Sequence, residues 1–189
     1  MPKETPDLVL SVEEIQKLTN RPLDQVLAKT IASAASRAVR DRCGWRVAGQ
    51  ITETLTLSAR SDRLLTLPSL HVSNIAEIRE DGHRLELDRD YDWDTNGIIE
   101  RLTGRWNRRR RKIDITLTHG FHECPGAIAE ALAAAIARGT LTPAGNIVSE
   151  TTLGAAVQFG RGPGGTAAGS MFLPHELEAL DAFRIPRTR

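Results

Sequence analysis

His119, His122, Glu123 and Cys124 stand within six positions of one another and carry the side-chain types that bind zinc or move protons. Zinc takes imidazole, thiolate and carboxylate ligands in a tetrahedron. The spacing argues against it here. Alternation puts His119 at a strand end and the other three in a turn, and no second ligand pair follows at metal-site spacing. A hydrolase built on the same cluster lacks a nucleophile paired with a base. The expectation is no metal, no cofactor and no catalytic residue, and so a chain that is not an enzyme.

A second chemistry lies in the run Arg105-Trp-Asn-Arg-Arg-Arg-Arg-Lys112. Guanidinium planes fork onto phosphates and carboxylates and stack on bases, and Trp106 could add a stacking surface. Three readings compete: a solvated hairpin loop, a charged contact with a neighbouring protein, and a DNA contact. The candidate contact residues are Arg105, Arg108, Arg109, Arg110 and Arg111. A DNA binder should carry a basic face, whereas 25 basic residues here meet 24 acidic ones. Asp88, Asp90, Asp92 and Asp94 lack the glycine and closing glutamate of a calcium loop. Their alternation implies an exposed acidic face of a strand.

Gly160, Gly162, Gly164 and Gly165 resemble a phosphate loop only superficially, because the Gly-Lys-Ser/Thr ending is missing. The whole run from Gly154 to Gly169 is too long and too glycine-rich for an ordinary connection. Phe159, Met171 and Phe172 bracket it and make it a candidate arm that docks in a partner's groove. The plainer alternative is a loop whose flanking apolar residues pack back on their own domain.

The chain that must position these groups has 189 residues, 40% hydrophobic and 26% charged, with few aromatics and a net charge of +1. That suits one domain, or one domain with an insertion. Two cysteines, Cys43 and Cys124, give no disulfide framework and imply a reducing compartment. No apolar run reaches membrane-spanning length, and the N-terminus has no signal-peptide core.

Ser11 and Glu14 form a capping box ahead of a short helix from Val12 to Leu18. Asn20 and Pro22 mark a second helix, with an apolar stripe of Val26, Leu27, Ile31, Ala34, Ala35, Ala38 and Val39, stopped at Cys43-Gly44. The period then becomes two. Strands are expected over 51–57, 64–67, 75–80, 83–87, 91–94, 98–102 and 112–118, with hairpins at Asp81-Gly82 and Asn96-Gly97. Trp45, Tyr91 and Trp93 read as packing anchors. Pro125 opens a helix to Arg138 with Ile128, Ala131, Leu132, Ala135 and Ile136 inward, and Pro174 opens a last helix to Phe183. The fold class is therefore α+β: N- and C-terminal helices packed together around an inserted antiparallel β meander. The parts divide as 1–45 helical, 46–120 the β insertion, 121–140 a helix completing the helical core, 141–173 a flexible Gly-rich arm, and 174–189 the last helix and tail.

This order of parts resembles the head–tail connector (head-completion or adaptor) proteins of long-tailed bacteriophages. The resemblance rests on Cys43-Gly44-Trp45, Leu65-Thr-Leu-Pro68, the Asp81-Gly82 hairpin, Tyr91-Asp-Trp93 with Gly97, Trp106, Ile115-Thr-Leu-Thr-His-Gly-Phe121 and the Pro125 helix. It runs from Ser11 to Arg138 and does not cover the Gly-rich run. It implies a subunit that forms a ring of about twelve copies in the virion neck. The implied partners are the portal protein, a tail or stopper/terminator protein, other copies of the chain, and packaged DNA, with no membrane. The chain would be made in the host cytoplasm. The rival function is a small DNA-binding protein using loop 105–112.

Overall fold

In a computed structural model, residues 8–20, 22, 24–141, 149–152, 155–158 and 171–186 are described. They divide into two compact units. One, residues 1–39 and 126–182, holds the helices. The other, residues 40–125 and 183–189, holds the sheets.

Helix α1 (Val12–Thr19) begins at the capping box: the Ser11 hydroxyl accepts from Glu14 N and the Glu14 carboxylate from Ser11 N. Asn20, at φ 49°, ends it in the left-handed conformation. Helix α2 (Gln25–Cys43) starts at Asp24, whose side chain accepts from Leu27 N at 2.8 Å. Its buried line is Ala28, Ala32, Ala35, Ser36, Val39 and Cys43. That corrects the expected stripe: Val26 is 79% exposed and Leu27 44%. The apolar types at 26 and 27 matched a helical period, but the alanine line one residue further round takes the core. Helix α3 (Gly126–Leu141) is buried on several sides, at Ile128, Ala131, Leu132, Ala133, Ala135 and Ile136. It packs against α1 and against α4 (Pro174–Asp181), so the terminal helices join one core.

The β unit contains a four-stranded antiparallel sheet in the order β1-β7-β3-β4 and a three-stranded one in the order β2-β6-β5. The strands are β1 (Ile51–Leu57), β2 (Leu64–Thr66), β3 (Val72–Glu80), β4 (His83–Arg84), β5 (Tyr91–Trp93), β6 (Ile98–Arg101) and β7 (Ile113–His119). The strands are antiparallel, as expected, but they do not follow one another as a simple meander. β7 enters between β1 and β3 because Ile113, Ile115 and Leu117, all fully buried, carry the most continuous apolar face. On the outer face β1 and β7 form a polar ladder, Thr52–Thr118 at 2.7 Å, Thr54–Thr116 at 2.9 Å and Thr56–Asp114 at 2.6 Å. Both sheets share one core of Leu65, Ile75, Ile78, Tyr91, Ile99, Trp106, Ile113, Ile115 and Leu117.

The two hairpin signals resolve differently. Asp81 (φ 51°) and Gly82 (φ 82°) are both left-handed, the geometry of a type I′ turn. In the second, only Gly97 is left-handed, closing a turn in which its N–H reaches the Asp94 carbonyl at 3.1 Å. A Cβ at Gly97 would collide with the Ser69 carbonyl oxygen.

Within 141–173, where an unstructured arm is expected, a strand pair appears: β8 (Ser149–Thr152) with β9 (Ala155–Gln158), Ser149 opposite Gln158. Residues 142–148, 153–154 and 159–170, most of the Gly-rich run, lie outside the described residues.

Candidate interaction surface

The arginine run connects β6 to β7, and the chain fastens it by its apolar member. Trp106 is 2% exposed, its indole N–H donates to the Arg63 carbonyl at 2.9 Å, and its backbone N–H to Asp62 O at 2.8 Å. Burying a side chain of roughly 200 Å² stabilises by on the order of 5 kcal/mol at most. That outweighs any stacking role on a ligand, so Trp106 is a core residue and no platform for bases. Its ring is covered by the Arg101 guanidinium at 5.2 Å, which in turn pairs with Glu80 at 3.2 Å where both side chains are 12% exposed. Neither Arg101 nor Glu80 stands out in the sequence. Their only signal is that each sits at the end of an alternating strand.

Beyond the tryptophan the loop is held by acids from neighbouring turns. Asn107 N–H donates to Glu80 Oε1 at 2.6 Å, and its side-chain amide to Asp81. Lys112 pairs with Asp81 at 3.0 Å. The Lys112 and Asn107 contacts hold the Asp81 carboxyl below its usual range. Arg105 and Arg108 both reach Asp62, at 3.2 and 3.7 Å. Such exposed pairs contribute about 0–1 kcal/mol, so they orient the loop more than they stabilise it. Arg111 sits at φ 55°, with its N–H on the Ser58 hydroxyl at 2.8 Å. Five arginines therefore divide into two groups. All five are exposed, but Arg105 and Arg108 reach Asp62, while Arg109, Arg110 and Arg111 stand at the tip.

The four aspartates do not share a strand face. β5 spans only Tyr91–Trp93, and of the four only Asp92 lies in it. Asp90 instead ties a corner together: its carboxylate accepts from Glu86 N–H at 2.9 Å, from the Thr103 hydroxyl and from Arg89. The Arg89 bonds, then the Glu86 amide, lower its pKa to about 2. Asp94 accepts from Ile98 N–H inside the second hairpin. Their polar side chains make local turn bonds instead of extending a strand.

His119 is 3% exposed with its Nε2 on Glu53 Oε1 at 2.9 Å, while His122 and Glu123 are exposed. Among the described residues no group of three metal-binding side chains converges. Trp45 is buried with its indole N–H on the Phe183 carbonyl at 2.7 Å, and Tyr91 is buried, so both anchor packing as expected. Phe172 is buried, at 6% exposed. Met171 is half-buried, and its carbonyl accepts from Arg138 at 3.2 Å. Phe159 lies outside the described residues.

Comparison with known proteins supplies what the loop geometry alone does not. The sequence profile of the family described as head completion protein matches residues 9–137. No curated protein matches the chain. Among solved structures, a chain in the neck of a native GTA particle, computed with C12 symmetry, is similar at a TM-score of 0.58 and 18% identity, covering 97% of this chain and 96% of the other. A chain in the neck of an empty GTA particle, computed with C6 symmetry, is similar at a TM-score of 0.58 and 18% identity, over 96% and 92% of the two chains. At that identity the likeness speaks of fold. Among the described residues no helix is long and apolar enough to cross a membrane.

Proposed function

The chain belongs to the head completion protein family, and on that premise we propose that it acts without catalysis, as a head–tail connector subunit that closes into a ring between portal and tail. In this reading it is a structural protein of the virion neck. The observation that carries the finer reading is the family match over residues 9–137, supported by a fold shared along nearly the whole length with chains of particle necks. The ring of about twelve copies and its partners, a portal protein on one side and a tail or stopper/terminator protein on the other, are part of the proposal.

In this reading the exposed guanidiniums of Arg109, Arg110 and Arg111 meet an acidic neighbour, and the segment 141–173, Phe159 and Met171 with it, is the arm that engages the next subunit. Nothing favours the DNA-binding alternative: the one aromatic in the basic loop is buried. Imaging purified assemblies and particle necks tests the function. A closed ring is expected, and a lone stable dimer at every concentration would overturn it. A gel shift with short duplex DNA separates the rival, for which binding should fall steeply with salt.

A further inference from the structure

β3 spans nine residues, yet β4 pairs with it only at Arg79 and Glu80, extended by the Leu85 N–H bond to the Ile78 carbonyl. Past that point the chain peels away through Leu87 toward Tyr91. Along Asn74–Glu77 no strand of the β unit occupies that edge. The edge opens into a cleft of about 440 Å³ lined by Ile75, Ala76, Leu85, Leu87 and Tyr91, with Glu77, Arg84 and Glu86 at its rim. Leu87 is 48% exposed there. The rim is balanced in charge, because Glu77 pairs with Arg79 at 3.0 Å and Arg84 at 3.7 Å. An apolar floor beside an open strand edge is the setting for strand addition, and a neutral strand suits a balanced rim. Ser73 and Ala76 stand outside the β3–β7 pairing as bulges. Bulges bend an edge and cut the flat stretch short, so a short strand fits and a long one does not.

The same chain contains a short two-stranded sheet. Among the described residues β8 and β9, four residues each, pair with one another as a sheet of their own. A two-stranded hairpin is marginal in water unless a third strand or a helix supports it. β9 reads Ala155-Ala-Val-Gln158, small, apolar and uncharged.

We infer that β9 of one copy adds to the open edge of β3 in the next copy, with one face of the added strand over the Leu85–Leu87 floor, so that each subunit's hairpin completes its neighbour's sheet. This rests on the ring reading and names the contact that closes it. On this inference the third strand of the β8–β9 sheet is supplied on assembly.

The test uses the full chain with Cys124→Ser, leaving buried Cys43 in place. One preparation carries Ala76→Cys, a second Ala156→Cys, and the two are mixed, assembled and mildly oxidised. A disulfide joining the two different chains is expected in assembled rings. Rings that form normally without that cross-link would overturn the inference while leaving the connector reading intact. A double variant that cross-links only within one chain would do the same, since the hairpin then folds home. Failure of the unmodified chain to form rings, followed in parallel by sedimentation, would remove the connector reading itself. Leu87→Asp gives an independent check, because an exposed position tolerates the charge in the monomer. The concentration for half-assembly should rise about tenfold or more with monomer melting unchanged. An unchanged assembly curve would again overturn the proposal.

Discussion

The two units solve the same burial problem with different side chains. The β unit closes over Ile78, Ile99, Ile113, Ile115 and Leu117 together with Trp106 and Tyr91. The helical unit closes largely over alanines, at 28, 32, 35, 129, 131, 133 and 135, with a few larger residues such as Ile15, Leu132 and Leu180 between them. A buried methyl stabilises by about 0.8 kcal/mol, against roughly 1.5–3 kcal/mol for a buried Ile or Leu. Alanine lets helices approach closely, but each contact yields little. Both units leave large apolar side chains exposed, Leu18, Val26 and Leu27 in the helical one and Leu64, Leu87, Ile98 and Leu102 in the other, and the helical unit holds a carboxylate, Glu176, buried against the partly exposed Arg138. The difference teaches that the β unit draws its stability from a few large side chains, whereas the helical unit draws it from many small contacts.

Cavity formation gives the largest effect and the most direct way to break this comparison. Ile115→Ala removes a fully buried side chain from the strand at the centre of the larger sheet. It should cost about 4 kcal/mol. All three tryptophans, Trp45, Trp93 and Trp106, lie in the β unit, so fluorescence reports that unit and helical circular dichroism the other. The expected outcome in urea is a large shift of the fluorescence midpoint with a smaller dichroism shift. Equal shifts would show one cooperative block and dissolve the contrast.

Arg138→Met attacks the helical unit at its charged pair. Glu176 is 5% exposed and accepts from both Arg138 nitrogens, at 2.6 and 2.7 Å, and from Leu173 N–H at 2.8 Å. Removing the cation leaves a carboxylate buried, a loss of about 3 kcal/mol. It should appear first in the dichroism. Gly97→Ala returns to the β unit, where a left-handed residue packed against the Ser69 carbonyl admits no side chain. Its cost should be about 2 kcal/mol or more, read by fluorescence.

How much of this was legible follows from the same contrast. Strands with strict alternation, such as 51–57 and 113–119, could be read almost to the residue, because a period of two fixes which face is buried. The capping box at Ser11 and the left-handed turn at Asp81-Gly82 were equally plain, since each has a local cause. Strand order was not legible, as nothing local says that β7 enters between β1 and β3. The stripe on α2 misled because alanine carries little hydrophobic weight although it forms the contact. The basic run showed its charge but not its division, which depends on Asp62 arriving from a distant loop. Burial of Phe172 and Trp106 was hidden for the same reason: both are settled by long-range packing.

Acid sharpens the comparison more gently. Burial pushes the Glu176 carboxyl up, but the Arg138 and Leu173 hydrogen bonds together pull it further down, so the folded value lies below the unfolded one. Its contribution is complete above the ordinary glutamate range and fades as pH falls through the lowered folded value. Helical dichroism should therefore lose stability on acidification in a way that Glu176→Gln abolishes. A variant as acid-sensitive as the parent would place the effect elsewhere.

The smallest effect on folding is expected at the tip of the arginine loop. Arg109, Arg110 and Arg111 are exposed, whereas the loop is held by Trp106, Asn107 and the acids that bind its base. Replacing all three with serine should change stability by less than about 0.5 kcal/mol, because surface positions away from packing and caps rarely do more. Arg111 occupies the left-handed region, so Arg111→Gly should be neutral or slightly stabilising. The consequence belongs to assembly: if these guanidiniums meet an acidic neighbour, the triple variant should assemble more weakly at low salt and approach the parent as salt rises. Equal assembly at every salt concentration would make the tip a solvated surface and leave contact-making to the hairpin and the exposed apolar corner of the helical unit.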